Sequence, residues 1–339
     1  MEDSMIKTKK KHYVYIFTII LILVFFISFG IGRYPVNVVQ LLKVLLSKFF
    51  PIDKDWPDTI NTIVFQVRLP RIIGAMLVGT SLSLSGAVYQ GMFKNPLVSP
   101  DILGVSSGAA FGAALAIYLS FNTVGIQITS FIFGLIAVGL VYLISTKIKE
   151  DPIISLVITG VLVGSIFTAL TSLIKYLADT DDKLPTITFW LMGSLASISP
   201  RDIKAIVLPI LLGIIPLFIL RWRLNVLSLE EGEAKTLGLN TARLRIIVIM
   251  CSTLMTAASV SVSGMIGWIG LVIPHLSRMI VGPDYRILLP TTLLLGSTYL
   301  LLIDNIARGL TTVEIPLGIL TSLVGAPFFI ILLLTNKRS

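Results

Sequence analysis

Apolar residues in this chain gather in long unbroken runs separated by short polar or basic breaks, without the strict alternation that marks a half-buried strand. A run of about 20 residues matches the ~30 Å of hydrocarbon that a helix crosses at ~1.5 Å per residue. Ten such runs occur, at 13–32, 62–90, 101–121, 126–146, 153–177, 203–220, 244–263, 266–281, 287–305 and 315–334. Lipid offers free backbone groups no hydrogen-bond partner, so a spanning segment is either helical or part of a closed barrel. These runs are too long and too continuous for barrel strands. The pattern predicts an all-α, polytopic membrane protein of about ten transmembrane helices. The second span is long enough to start outside the hydrocarbon, and the eighth is short and broken by Gly267, Gly270 and Pro274.

Three longer polar stretches interrupt the runs. Segment 33–61 contains an amphipathic portion from Val36 to Phe50 that reads as a surface helix. Segment 178–202 carries Pro185, Trp190 and Pro200, with a short helix expected from about Thr186 to Ala196. Segment 221–243 is rich in both charge signs. The first run follows Lys7, Lys9, Lys10 and Lys11, as in a signal peptide, but it is long enough to span and no small-residue cleavage site follows it. It reads as an uncleaved first span.

Composition agrees with lipid as the main solvent. Of the 339 residues 55% are apolar and only 13% charged, and the mean hydropathy is +0.93. A soluble domain carries roughly 25% charged residues. The net charge of +9 sits between the apolar runs rather than along a stripe, and no nucleic-acid-binding motif accompanies it, so it reads as topological. With a cytoplasmic amino terminus, 16 of the 27 basic residues fall inside. An even number of crossings then puts both termini in the cytoplasm. The single cysteine, Cys251, excludes an intramolecular disulfide, and two distant histidines, His12 and His275, make no metal cluster.

Candidate functional positions fall into three groups. Gly104, Gly108 and Gly112, with Gly160 and Gly164 two spans later, form flat strips suited to close helix packing or to a smooth solute path. Arg68 and Arg71 bracket Leu69-Pro70 at the outer start of the second span, and Arg308 lies one turn past Asp304 at the outer end of the ninth. A local Asp304–Arg308 pair or interfacial snorkelling explains the last equally well. In segment 221–243, Ser228 is placed to cap a helix with Glu230, Glu231 and Glu233 in its first turn and Gly238 as its stop. Such a helix presents Leu229, Ala234 and Leu237 to a partner or to its own bundle. No phosphate loop, His-Glu-x-x-His or Gly-x-Ser-x-Gly motif occurs, and span centres hold almost no charge, which disfavours nucleotide hydrolysis and ion-coupled transport.

Several stretches resemble one family. Arg68-Leu-Pro-Arg71, Ser85-Gly86 through Gln90, Asn95-Pro-Leu-Val-Ser-Pro-Asp-Ile-Leu-Gly104, Gly267-Trp-Ile-Gly-Leu-Val-Ile-Pro-His-Leu-Ser-Arg278, Glu314-Ile-Pro-Leu-Gly318 and Gly325-Ala-Pro-Phe-Phe329 are similar to the FecCD-type permeases of ABC importers for iron-siderophores and vitamin B12. The resemblance implies a single permease domain over 1–339 with the vitamin B12 importer permease-like (type II) fold in the cytoplasmic membrane, its cytoplasmic tail at 1–12. It also implies a second permease subunit, identical or related, two cytoplasmic ATPases that bind ATP and Mg, and an external binding protein. The chain itself would hold no cofactor and catalyse no bond-breaking. Arg68, Arg71 and Arg308 match the positions that meet acidic residues of the binding protein. Leu229, Glu230, Ala234, Leu237 and Gly238 fall on the ATPase-coupling segment. His275 belongs to the signature near the cytoplasmic side and reads as a helix-terminus or packing residue. The cargo implied is an iron complex, a ferric siderophore first, with haem or cobalamin as alternatives.

Overall fold

The computed structural model of the chain describes residues 2–32, 34, 36–48, 50–51, 54–148, 151–228, 233 and 236–336, with backbone alone for 2–11, 332, 333, 335 and 336. Among them all regular structure is helical. Helix α1 (Glu2–Gly30) is followed by the short α2 (Val38–Leu46) and α3 (Asp58–Thr62), the last running through a π-turn (Ile63–Arg68) into α4 (Leu69–Met92). A 3₁₀ turn (Pro100–Leu103) leads to α5 (Val105–Tyr118), α6 (Thr123–Ser145), α7 (Pro152–Leu177), α8 (Lys183–Leu191), α9 (Pro200–Ile219) and α10 (Arg221–Leu227). The chain ends with α11 (Thr241–Ser263), α12 (Ile269–Val281), α13 (Tyr285–Gly309) and α14 (Leu317–Asn336).

Each of the ten expected spans is occupied by a helix. Seven are long and apolar enough to cross a bilayer by length and composition, and α5, α12 and α14 are the shorter apolar helices that complete the set. Differences lie at the joints. The third span begins only at Val105, because Gly104 (φ +74°) breaks the chain between the 3₁₀ turn and α5. The eighth begins at Ile269, after an irregular stretch ending in Trp268, which holds the uncommon φ of +69°. Helix α8 starts before Pro185 rather than after it, since proline is tolerated in a first turn, and Gly193 (φ +75°) follows its end. The π-turn ahead of α4 accommodates Pro70, whose missing N–H and ring disturb the ladder one turn back. Helix α2 lies within the expected amphipathic portion and buries Leu41 and Val44.

Burial sorts the helices into a centre and a rim. Of the most apolar window of α4, 83% is buried, and 72% of that of α11. The corresponding shares for α1, α6, α7 and α9 are 17%, 33%, 33% and 28%, so these four form the exposed rim of the chain. Small residues let the central helices approach closely: Gly79 of α4 meets the backbone of Gly296 on α13, and Gly86 meets Gly270 on α12. Hydroxyls tie the same faces, Thr80 to Ser297 at 2.6 Å and Ser83 donating to the Thr292 carbonyl at 3.2 Å.

At the amino-terminal end of the bundle Asp284 caps α13 by accepting from the Arg286 N–H (3.0 Å) and also accepts from Asn225 Nδ2 (2.9 Å). Its hydrogen bond with the Arg286 guanidinium, foremost, holds the carboxyl down to about 2. A depressed folded pKa gives stability that is complete above the unfolded value near ~3.9 and lost as pH falls through the folded one. Asp284→Asn is expected to cost about 1 kcal/mol at neutral pH, discounted for partial exposure, and to flatten the fall in melting temperature between about pH 4 and about pH 2. Thermal unfolding across that window, native against variant, measures both effects.

Candidate functional site

Three elements converge at the other end of the bundle. Arg68 and Arg71 stand three residues apart at the start of α4, which puts both side chains on one face. Asp304, Asn305 and Arg308 occupy the last turns of α13, and Ser28 and Phe29 the last turn of α1. Glu314 comes from the link between α13 and α14.

Arg71 is the hub. Its Nε donates to both oxygens of Asp304 at 3.0 Å, its Nη2 to Asp304 Oδ1 at 2.9 Å, and its Nη1 to Glu314 Oε1 at 3.0 Å. Arg308 lies 3.5 Å from Asp304 through Nε and donates from Nη2 to the Ser28 carbonyl at 2.8 Å and to Asn305 Oδ1. Arg68 reaches the carbonyls of Phe29 and of Tyr34, the second at 2.5 Å. Helix α1 has no basic residue of its own in its last turn. Arg68 and Arg308 therefore satisfy the carbonyls at its carboxyl end from outside, where a cation also opposes the negative pole of the helix dipole. Three guanidiniums face two carboxylates, which leaves one net positive charge beside a cavity of about 220 Å³ lined by Gly32, Tyr34, Arg68, Arg71, Arg308 and Glu314 among others.

The three arginines singled out in the sequence are thus brought into one cluster, turned inward: Arg68, Arg71 and Arg308 are 4%, 5% and 5% exposed. The sequence reading paired Asp304 with Arg308 alone. Its principal partner is Arg71 on another helix. Glu314, Asn305 and the two α1 carbonyls went unnoticed as site components. A fully buried acid in an apolar run, as Asp304 is, demands a cationic partner, and that was the available signal.

The glycine strips divide. A Cβ on Gly108 would stand 2.5 Å from the Phe133 carbonyl and one on Gly112 2.5 Å from that of Thr129, so these two serve packing against α6. Gly104, Gly160 and Gly164 meet between α5 and α7, with 3.4 Å from a Gly104 Cβ to the Gly164 backbone. A cavity of about 480 Å³ opens there, where Ser107, Ser165, Thr168 and Ser172 add hydroxyls to Gly160 and Gly164.

Toward the amino-terminal end, signature segments join. Gln90 Nε2 donates to the carbonyls of Gly270 (3.4 Å) and Leu271 (3.3 Å), Arg278 donates to Gln90 Oε1, and the Arg278 and Tyr285 side chains share the Ala87 carbonyl at 2.8 and 2.9 Å. His275 packs its ring 6.1 Å from that of Phe329. In the charged segment that follows α10, Leu229, Glu230, Glu231 and Ala234 lie outside the described residues. Ser228 ends α10 with its hydroxyl directed to the Leu224 carbonyl at 3.4 Å, and the first turn it is expected to cap lies outside the described residues. Leu237 donates its backbone N–H to the Glu233 carbonyl and is 58% exposed, and Gly238 (φ +73°) makes the left-handed stop.

Comparison with known proteins gives one answer. Residues 20–335 match the FecCD transport family. The chain is 47% identical over 321 residues to the molybdate import system permease protein MolB of Haemophilus influenzae, covering 95% of each. It is 42% identical to a probable iron chelatin transport system permease protein of Helicobacter pylori, over 83% of this chain and 85% of that one. Among solved structures it resembles a metal-chelate type ABC transporter in an inward-facing conformation, with a TM-score of 0.86 at 44% identity over 95% of this chain and 98% of the other. With helices in all ten expected spans and relatives aligned over nearly the whole length, the chain belongs to the FecCD transport family of ABC importer permeases.

Proposed function

We propose that the chain forms, with a second permease subunit, the membrane path of an importer for a small metal-bearing solute, taken first as a ferric siderophore. The observation that carries this reading is the family match across almost the entire sequence. The amino-terminal end of the bundle faces the cytoplasm, where two ATPases bind ATP with Mg and seat the segment around Leu237 and Gly238. The arginine end faces outward and receives the binding protein. ATP-driven exchange between outward- and inward-facing states opens the path, because the partners contact the two states differently. Haem and cobalamin fit the same architecture. Molybdate is the second reading, favoured by the 47% identity to a molybdate permease.

Docking on the arginine cluster needs an outside carboxylate to reach a net positive cavity. Arg68, held by backbone carbonyls rather than by carboxylates, is the member free to change partner. Reversing all three charges together would confound docking with folding, since Arg71 and Arg308 neutralise the buried Asp304. The informative variants are Arg68→Gln and Leu237→Asp, one at each end. Co-purified with its ATPase and reconstituted, the native complex should take up a radiolabelled ferric siderophore only with ATP and binding protein. Each variant should reduce that uptake at least about tenfold, a typical coupling between sites, while inserting normally. Uptake of molybdate without uptake of iron complexes moves the cargo to the second reading, and uptake driven by an ion gradient at zero ATP ends the proposal.

A further inference from the structure

A cleft opens at the amino-terminal end of the bundle where α6 ends and α7 and α11 begin. Its volume is about 260 Å³, and Tyr142, Pro152, Leu156, Ile246 and Ile249 give it a mainly apolar wall. Arg245 supplies the cation. The Nε of that guanidinium is buried and has no hydrogen-bond partner, and among the described residues Arg245 forms no ion pair. Among the described residues, the acid nearest in sequence on this rim, Asp151, spends its carboxylate on the first turn of α7, accepting from Ile153 N at 2.8 Å and Ile154 N at 3.2 Å. The hydroxyls of Ser145 and Thr146 donate to the carbonyls of Tyr142 and Leu143, and neither oxygen accepts from Arg245 Nε.

A buried guanidinium N–H without an acceptor is costly, and more so beside lipid, where water does not supply one. An anion beside an apolar wall would answer both the unpaired N–H and the unpaired charge. We propose that this cleft binds the head group of an anionic phospholipid, with Arg245 on the phosphate and an acyl chain along Leu156, Ile246 and Ile249. Three further observations fit that ligand. The cleft lies at the level where three spans end, which is the depth of head groups. The amino termini of α7 and α11 both open toward it and add their positive dipole ends. Its surroundings, Leu143, Ile144, Ile154, Ile247 and Met250, are exposed apolar side chains, as an acyl chain requires. A free phosphate ion would use the cation but leave the apolar wall bare.

A second cavity on the same end, bordered by Val14, Tyr15, Arg221 and Pro290, is larger at about 490 Å³, but its Arg286 is already held by Asp284 at 2.7 Å. The cavity between α5 and α7 has no cation in its lining. The cleft at Arg245 differs from both in offering a buried guanidinium N–H without an acceptor.

The test uses the full chain in detergent with dioleoyl-phosphatidylglycerol, dioleoyl-phosphatidylcholine or inorganic phosphate, read by native mass spectrometry of retained lipid and by thermal unfolding. Phosphatidylglycerol should be retained and should raise the melting temperature, whereas phosphatidylcholine and inorganic phosphate should not. Arg245→Gln should weaken retention about fivefold, the weight of one basic residue at an anionic surface. Arg245→Lys should keep part of it. Ile246→Trp, which fills the wall and leaves the charge, should lose retention as Arg245→Gln does, so the test survives if removing the arginine impairs folding. Equal retention of the two lipids overturns the proposal, as does protection by inorganic phosphate alone. So does cross-linking that finds a second copy of the chain seated over Ile246 in lipid nanodiscs.

Discussion

Asp304→Asn is expected to lower the stability of the bundle by about 3–5 kcal/mol, the cost of removing one partner from a buried ion pair. The reason lies in what stays behind. Asp304 has no exposed surface, and it answers Arg71 through two oxygens and Arg308 through one. Its amide replacement leaves three buried guanidiniums with Glu314 as the only nearby carboxylate among the described residues, and Glu314 is 27% exposed. Glu314→Gln should therefore cost about 1 kcal/mol, near the range of partly solvated pairs. The double variant Arg71→Gln/Asp304→Asn removes charge of both signs and should recover part of the loss, a coupling that a double-mutant cycle reads directly. Melting temperatures of the native protein, Arg71→Gln, Asp304→Asn and the double variant in one detergent make the measurement. An Asp304→Asn protein that melts with the native one would mean that the pair carries no stabilising charge.

That cluster also marks how far the sequence could be read. The spans were legible because hydrocarbon thickness imposes a run length that composition alone reveals. Arg68, Arg71 and Arg308 stood out because charge at the edge of such a run calls for a reason. Their environment was not legible: Asp304 lies 233 residues from Arg71, and the Ser28 carbonyl 280 residues from Arg308. Nothing local announces which helices share an end of the bundle. Gly238 was readable as a stop because a left-handed residue after a helix is a local requirement, and it has φ +73°. The start of α5 was misplaced for the converse reason. Pro100 through Leu103 is apolar enough to extend the span, and only the backbone shows that Gly104 turns it aside. Gly104, Gly108 and Gly112 looked like one strip. The structure splits it because Gly104 lies ahead of α5 and meets α7, whereas Gly108 and Gly112 within α5 face α6.

The other large effect is expected at the centre of the bundle, where Gly86→Ala should cost more than about 3 kcal/mol, beyond the usual range for one inserted methyl. A Cβ at that position would lie 1.9 Å from the Gly270 carbonyl oxygen and 2.9 Å from its Cα. Both are backbone atoms, so no side chain can rotate away, and α4 must separate from α12 just where α12 begins after Trp268. Separation would also lengthen the hydrogen bonds from Gln90 to the Gly270 and Leu271 carbonyls one turn further along α4. The same substitution at Gly139 of α6 meets nothing within 4 Å and should stabilise the helix by about 0.5–1 kcal/mol, because alanine replaces the more flexible residue. The α5–α7 contact offers an intermediate comparison. Gly160→Ala would set a Cβ 2.1 Å from the Ile102 carbonyl, whereas at Gly164 the nearest atom is the Ser107 hydroxyl at 3.6 Å. Gly160→Ala should therefore destabilise and Gly164→Ala should not, although the two glycines line the same cavity. Melting temperatures and monodispersity after extraction rank the four variants. If Gly86→Ala falls among the tolerated ones, α4 and α12 are further apart than this packing requires, and the close backbone approach is not what holds the central helices together.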